Sequence, residues 1–313
     1  MSYLEPNFYV VRPDHSEETI LNAEALKFKN CRVSEIEFLL VHPTAEVLEF
    51  IDCEWDTVAT VPVSDHGAAH TIRLVETMIS DLGFREILTK FPELRTLAYF
   101  RPTEDIDTDL DEMGTELARY GQHIEHLTLL NESLLPFASG FGSLHKMINL
   151  KTLEVDLELL IGFRDNPRGW DDYEGCGYYG NEESEESEEE PEPDIHWSLV
   201  NRLPPSLEKL TLSIETPKLS VYFNTYESYG AKFEELLTDA RFAKLRWVHA
   251  PNLDTVAEKL KGKPGNEWGL LGTGESILAR PPTRPEAEAE AEAEAEEKKH
   301  VNGSSASDSE TLA

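Results

Sequence analysis

One short skeleton, apolar-x-x-apolar-x-apolar, recurs eight times along this chain and constrains its fold more than any other feature. The segments AEALKFKNC (23–31) and AEVLEFIDC (45–53) agree at Ala, Glu, Leu, Phe and Cys. The skeleton returns at Ala69, Ile72 and Leu74, then at Leu94, Leu97 and Tyr99, then at Ile124, Leu127 and Leu129. It continues at Leu150, Leu153 and Val155, at Leu207, Leu210 and Leu212, and in weaker form at Leu245, Val248 and Ala250. The middle positions (26, 48, 72, 97, 127, 153, 210 and 248) are spaced by about one strand-turn-helix unit throughout, except for one long step from 153 to 210 and a moderately long one after it.

Each skeleton reads as a short strand, because alternate side chains of a strand share one face. Helical segments follow several of them. Ser34-x-x-Glu37 predicts a capping box ahead of Ile36, Leu39 and Leu40. Leu110, Met113, Leu117 and Tyr120 have helical spacing, as do Phe233, Leu236, Leu237 and Ala240, and 254–260 predicts a closing helix. Strand, turn and helix at this period predict an α/β leucine-rich-repeat solenoid of about eight irregular repeats, with parallel strands on the concave face and helices outside. Single units of that kind cannot bury their apolar faces alone, so neighbours stack into a continuous core. A doubly wound α/β sheet is the competing architecture; it does not account for the eightfold recurrence.

The one long step, between Leu153 and Leu210, contains an acidic stretch (165–194) with thirteen acids and one base. Removing that stretch brings the step back to the spacing of its neighbours, so it reads as an insert in the repeat array. Its run EESEESEEEPEPD has too little apolar surface to offset the entropy of ordering, and disorder is expected. A second acidic segment, 281–313, is built on EAEAEAEAEAEE, where glutamates four apart would repel on a helix face. It is expected to be a disordered tail. The predicted organisation is a lead-in (1–22), a repeat domain (23–280) interrupted by the insert, and the tail. The chain's net charge is −33, of which the insert carries −12 and the tail −6, leaving −15 on everything else.

Such a charge disfavours nucleic acid, which needs positive surface to displace counterions from phosphate, and likewise anionic membrane. No apolar stretch approaches a spanning helix and the N-terminus is not a signal peptide, so a cytoplasmic or nuclear location is expected. Three cysteines (Cys31, Cys53 and Cys176) form no disulfide framework. Cys31 and Cys53 hold the turn position after the strand, where this repeat class often places Asn or Cys, and read as structural.

Reaction motifs are sparse. Asp105, Asp107, Asp109 and Glu116 approximate the spacing of a calcium loop, but Leu110 stands where the sharp turn needs glycine. Asp109 and Glu112 read instead as the start of a helix. Asp65, His66 and His70 lack further ligands nearby, and His123 and His126 read as exposed strand histidines. Gly140-Phe-Gly142 and the 269–274 glycines lack the Gly-Lys-Ser/Thr of a phosphate loop and are expected in turns. No nucleophile is paired with a base. The expectation is a non-enzyme with no cofactor and no metal.

Function in a solenoid usually lies on its concave wall. The residue between the last two apolar positions of each skeleton should point there: Lys27, Glu49, Arg73, Ala98, Thr128, Glu154, Thr211 and His249. Eight strands spaced at about 4.8 Å give a wall of roughly 35–40 Å, enough for a protein interface of about 1,600 Å². In the acidic segments, Trp170, Tyr173, Tyr178 and Tyr179 lie among acids as in linear interaction segments. Ser184, Ser187, Ser305 and Ser307 are candidate phosphorylation sites for an acid-directed kinase.

The phrases Asn30-Cys31-Arg32-Val33-Ser34, Asp52-Cys53-Glu54-Trp55-Asp56, LARYGQHIEHLTL (117–129), FGSLHKMINLKTLEVDLELLIG (141–162) and LPPSLEKLTL (203–212) resemble the leucine-rich-repeat region of fungal F-box proteins, over roughly residues 20–260. That resemblance implies a substrate receptor of a Skp–cullin–F-box ubiquitin ligase: the F-box would bind the Skp-type adaptor and the repeats would hold the substrate. The F-box, a helical module opening on a Leu-Pro pair, is not visible in the segment 1–22 ahead of the first repeat. An alternative resemblance is to the acidic leucine-rich nuclear phosphoproteins, which pair repeats with an acidic tail and look like histone chaperones. It implies a scaffold that binds basic proteins, although the Asn ladder of that group is not kept.

Overall fold

The last two apolar positions of each skeleton lie two apart, so each strand can bury one side of its pleat and leave the other to solvent. A computed structural model describes residues 9–11, 23–36, 40, 44–55, 66–102, 109–131, 140–161, 198–213, 230–251, 253–261, 267–271 and 277–280. The eight skeletons form β2 (Ala25–Lys29), β3 (Val47–Ile51), β5 (Thr71–Val75), β7 (Thr96–Arg101), β8 (His126–Asn131), β9 (Thr152–Asp156), β10 (Lys209–Ser213) and β11 (Trp247–His249). They lie side by side in that order, all parallel, within one sheet. Leu26, Leu48, Ile72, Leu97, Leu127, Leu153, Leu210 and Val248 are successive register partners, so the middle position of every skeleton stands in a single line. The order of these eight strands has no reversal, whereas a doubly wound sheet has one.

Three further strands enlarge the sheet to eleven. β1 (Tyr9–Val11) lies in the expected lead-in and pairs in parallel with β2. At the other edge, β13 (Ile277–Ala279) runs antiparallel to β11 and β12 (Gly269–Leu271) antiparallel to β13. The chain is thus a mixed α/β structure on a mostly parallel sheet. The closing helix is present but does not end the array, since the antiparallel pair adds to the sheet beyond β11. Gly269 opens a strand rather than a turn.

Among the described residues, the helices are α1 (Asp81–Lys90), α2 (Leu110–Tyr120), α3 (Leu157–Ile161), α4 (Leu199–Arg202), α5 (Ala231–Thr238) and α6 (Leu253–Leu260). Their apolar stripes join the strand leucines in one core that includes Phe84, Ile87, Met113, Leu117, Phe233, Leu236 and Val256. Full burial of each such side chain contributes about 1.5–3 kcal/mol. Ser80 caps α1 by accepting from the Gly83 amide, and Asp109 caps α2 by accepting from the Asp111 and Glu112 amides. Ala240, read as helical, falls in a 3₁₀ turn (Ala240–Phe242) after α5. Ser34 of the expected capping box sits inside a 3₁₀ turn, Val33–Glu35, whose N-cap is Arg32. That turn bonds Glu35 N–H to the Arg32 carbonyl and Ile36 N–H to the Val33 carbonyl. Glu37 and Leu39 lie outside the described residues.

The first three skeletons repeat down to the backbone. Asn30, Asp52 and Glu76 all take a left-handed conformation, with φ of 51°, 52° and 51°. Each donates its amide to the end of the following strand: to the carbonyls of Ile51, Val75 and Phe100. Just beyond the turns of the second and third skeletons, a second and short parallel pairing forms, Glu54–Trp55 (β4) with Met78–Ile79 (β6). Phe28 stacks on Phe50 at 5.0 Å, and Trp55 meets Phe50 edge-on at 5.0 Å, tying these repeats together inside.

Candidate functional site

Strand residues of opposite parity to the core leucines face away from the helices. The eight positions expected on that face form one continuous row. Lys27 pairs in register with Glu49, Glu49 with Arg73, Arg73 with Ala98, and Ala98 with Thr128. Thr128 then pairs with Glu154, Glu154 with Thr211, and Thr211 with His249. Burial along this row is uneven. Arg73 is exposed, Lys27, Thr128, Glu154, Thr211 and His249 are partly exposed, and Glu49 and Ala98 are buried.

Glu49 is covered because it is bracketed by cations. Lys27 Nζ lies 2.5 Å from its Oε2, and Arg73 Nη1 lies 3.8 Å from its Oε1. The charges at this end of the row therefore largely satisfy one another, leaving one net positive charge over three strands. A second ion-paired ladder runs at the strand starts. Lys151 Nζ meets Glu125 Oε2 at 2.5 Å, and Arg95 Nη1 lies 3.9 Å from Glu125 Oε1. The Lys151 ammonium, through its hydrogen bond, holds the Glu125 carboxyl below the usual range.

Beside the predicted row, two positions further along each strand, runs a stripe that the eight predicted positions do not include. Ile51, Val75, Phe100 and Leu130 are successive register partners and all are partly exposed. On the other flank stand Thr71, Thr96, His126 and Thr152, again in register. The face thus presents an apolar band, a central row with paired charges and small polar groups, and a polar band. The signal for the apolar band lay in the sequence, as an apolar residue directly after four consecutive skeletons (Ile51, Val75, Phe100, Leu130) on the parity opposite to the core.

The remaining candidates are scattered. His70 hydrogen-bonds Glu46 through Nε2 at 3.1 Å and Thr71 through Nδ1 at 3.1 Å; His66 is exposed, and Asp65 lies outside the described residues. Asp109 is a helix cap and Glu116 a residue of α2, while Asp105 and Asp107 lie outside the described residues. His126 is on its strand and exposed, but His123 is half-buried in a 3₁₀ turn, Gly121–His123, before it. Gly142 takes a left-handed backbone conformation, at φ 67°, and the turn that follows it is at His145 and Lys146. Trp170, Tyr173, Tyr178, Tyr179, Ser184, Ser187, Ser305, Ser307, the insert and the tail all lie outside the described residues. Among the described residues, no group of three or more His, Cys, Asp or Glu side chains is placed to hold a metal, and no helix is long and apolar enough to cross a membrane.

Comparison with family models, with curated proteins and with solved structures found no match to this chain.

Proposed function

We propose that the chain is a leucine-rich-repeat solenoid that acts without catalysis, holding a protein partner on the face of its sheet opposite the described helices. The observation that carries this reading is the registered row from Lys27 to His249 with the apolar band Ile51, Val75, Phe100 and Leu130 beside it. An apolar band flanked by ordered polar groups has the make-up of a protein interface, with an apolar centre and a polar rim. Partly exposed apolar side chains in one continuous band are also unlike the scattered ones on an ordinary surface. By its resemblance to F-box proteins, the face would hold a ubiquitin-ligase substrate; a Skp-type adaptor and a cullin would join through an F-box.

The test compares proteins retained by the immobilised wild-type chain with those retained by two variants. Phe100→Asp places a charge in the apolar band. The triple variant Lys27→Glu, Glu49→Lys, Arg73→Glu reverses the field but keeps oppositely charged neighbours, so the ion pairs can re-form. Loss of the same partner from both variants, with unchanged thermal unfolding, is the expected result. Retention by both overturns the reading. A partner kept by both variants but released by salt, and lost on deleting 165–194 and 281–313, would instead mark a binder of basic proteins acting through its acidic segments.

A further inference from the structure

Cys31 and Cys53 stand at the same position of adjacent repeats, and their Sγ atoms are 3.5 Å apart. Register fixes this approach on both sides, since Lys29 pairs with Ile51 before the cysteines and Arg32 bridges to Glu54 after them. Neighbouring parallel strands are about 4.8 Å apart, inside the Cα separation of about 4.4–6.8 Å that a disulfide spans. Closing a bond therefore needs side-chain rotation and no rearrangement of the sheet.

The turn position itself does not require sulfur. In the third repeat it is filled by Thr77, whose hydroxyl donates to the carbonyls of Phe50 and Val75. Cys53 does comparable work, reaching the Ile51 carbonyl at 3.3 Å. One hydrogen-bonding group per repeat satisfies the backbone; two thiols side by side add a chemistry that the hydroxyl lacks.

The pair is also reachable. Cys53 is buried and Cys31 is partly exposed, and both line a cleft of about 510 Å³. The charged residues lining it are Arg32, Glu35, Asp52, Glu54 and Glu76, and Arg32 is ion-paired with Glu54 at 3.0 Å. The cleft is thus net negative. It opposes anionic oxidants such as oxidised glutathione and admits small neutral ones.

We propose that Cys31 and Cys53 are a redox-active dithiol that small neutral hydroperoxides oxidise to a disulfide. The Cys31 S–H bond to the Cys53 sulfur holds the Cys53 thiol down to about 7, and the same bond pushes the Cys31 thiol up. One proton is therefore shared along the S···S line and one sulfur is readily anionic. That sulfur is Cys53, which lines the cleft together with Cys31. The Cys53 thiolate attacks a peroxide oxygen; the S–O bond forms, the O–O bond breaks, and the departing hydroxide takes a proton and leaves as water. Cys31 sulfur then attacks the Cys53 sulfenic sulfur, forming the S–S bond and expelling hydroxide, which leaves as a second water with the Cys31 proton. Two thiols and one hydrogen peroxide become one disulfide and two waters.

The test uses the full chain carrying Cys176→Ser, so that only these two thiols remain. Hydrogen peroxide should remove both titratable thiols and lower the intact mass by two hydrogens, on the order of tenfold faster than oxidised glutathione at equal concentration. Oxidation should raise the midpoint of thermal unfolding, because the bond closes a loop in the unfolded chain. Cys31→Thr should leave Cys53 as a sulfenic acid that dimedone traps. Cys53→Thr, which installs the residue native to the third repeat, should leave Cys31 unreactive. Two thiols still titratable after peroxide, or dimedone trapping at Cys31 rather than Cys53, would overturn the proposal.

Discussion

The carbonyl oxygen of Phe141 lies 1.9 Å from the point where a Cβ on Gly114 would stand. Gly114 is in the middle of α2, where its lack of a side chain costs about 1 kcal/mol of helix propensity. What offsets that cost is the close approach of the following segment, which brings Phe141 within 6.4 Å of Phe84 on α1. Backbone cannot rotate away as a side-chain tip can. Gly114→Ala should therefore destabilise the chain by about 2–4 kcal/mol despite its better helix propensity. Urea unfolding followed by far-ultraviolet circular dichroism measures this; an alanine variant as stable as wild type would mean the Phe141 backbone moves freely.

The helix cap at Asp109 offers a milder case. Its Oδ1 accepts from the amides of Asp111 at 3.0 Å and Glu112 at 3.3 Å. Asp109→Ala should cost about 1 kcal/mol, whereas Asp109→Asn keeps an acceptor at the same place and should cost less. Equal losses for both in urea unfolding would show that charge near the helix start matters more than the hydrogen bonds.

How far the sequence could be read follows from the length of each signal. Leu26 to Val248 fall in one line because the skeleton is long enough to show its alternation and recurs eight times, so an apolar repeat fixes both strand and register. β1, β4, β6, β12 and β13 are two or three residues long, too short to show alternation against their surroundings. The left-handed turn was hidden differently. Asn30 and Asp52 are residues that tolerate positive φ, but Glu76 is not, so residue type masks a conformation that position repeats. On the face opposite the described helices, Lys27, Glu49 and Arg73 were legible as a row, but not that Glu49 is buried. That depends on two neighbouring cations reaching it across strands, and strand alternation says nothing of side-chain reach.

The same three residues give a stability test. Removing the carboxylate with Glu49→Ala leaves Lys27, whose side chain is 23% exposed, and Arg73, on the far side of β3, without a counter-charge from that strand. A loss of about 1–2 kcal/mol is expected, discounted because Arg73 is well exposed. Replacing both inner partners, Lys27→Met with Glu49→Leu, should recover much of it, since an apolar pair of similar volume needs no desolvation. Failure of the pair to recover would mean that the charges are individually engaged elsewhere, and not chiefly with each other.

His123 sets a pH dependence whose sign can be worked out. Burial first, and then the nearby Arg95 guanidinium, hold its imidazole below the ordinary value of 6.5. The unfolded chain therefore binds this proton more readily than the folded one. Where the unfolded state carries more protons, stability rises with pH. The contribution from His123 is fully present above about 6.5, is lost as pH falls from there to the folded value, and levels off below it. His123→Gln removes the titration while keeping a polar side chain. Between about pH 7.5 and pH 5, the variant's unfolding free energy should fall by less than that of wild type. The difference between the two should therefore move in the variant's favour toward the acid side. Parallel curves over that range would show that a different group sets the acid sensitivity.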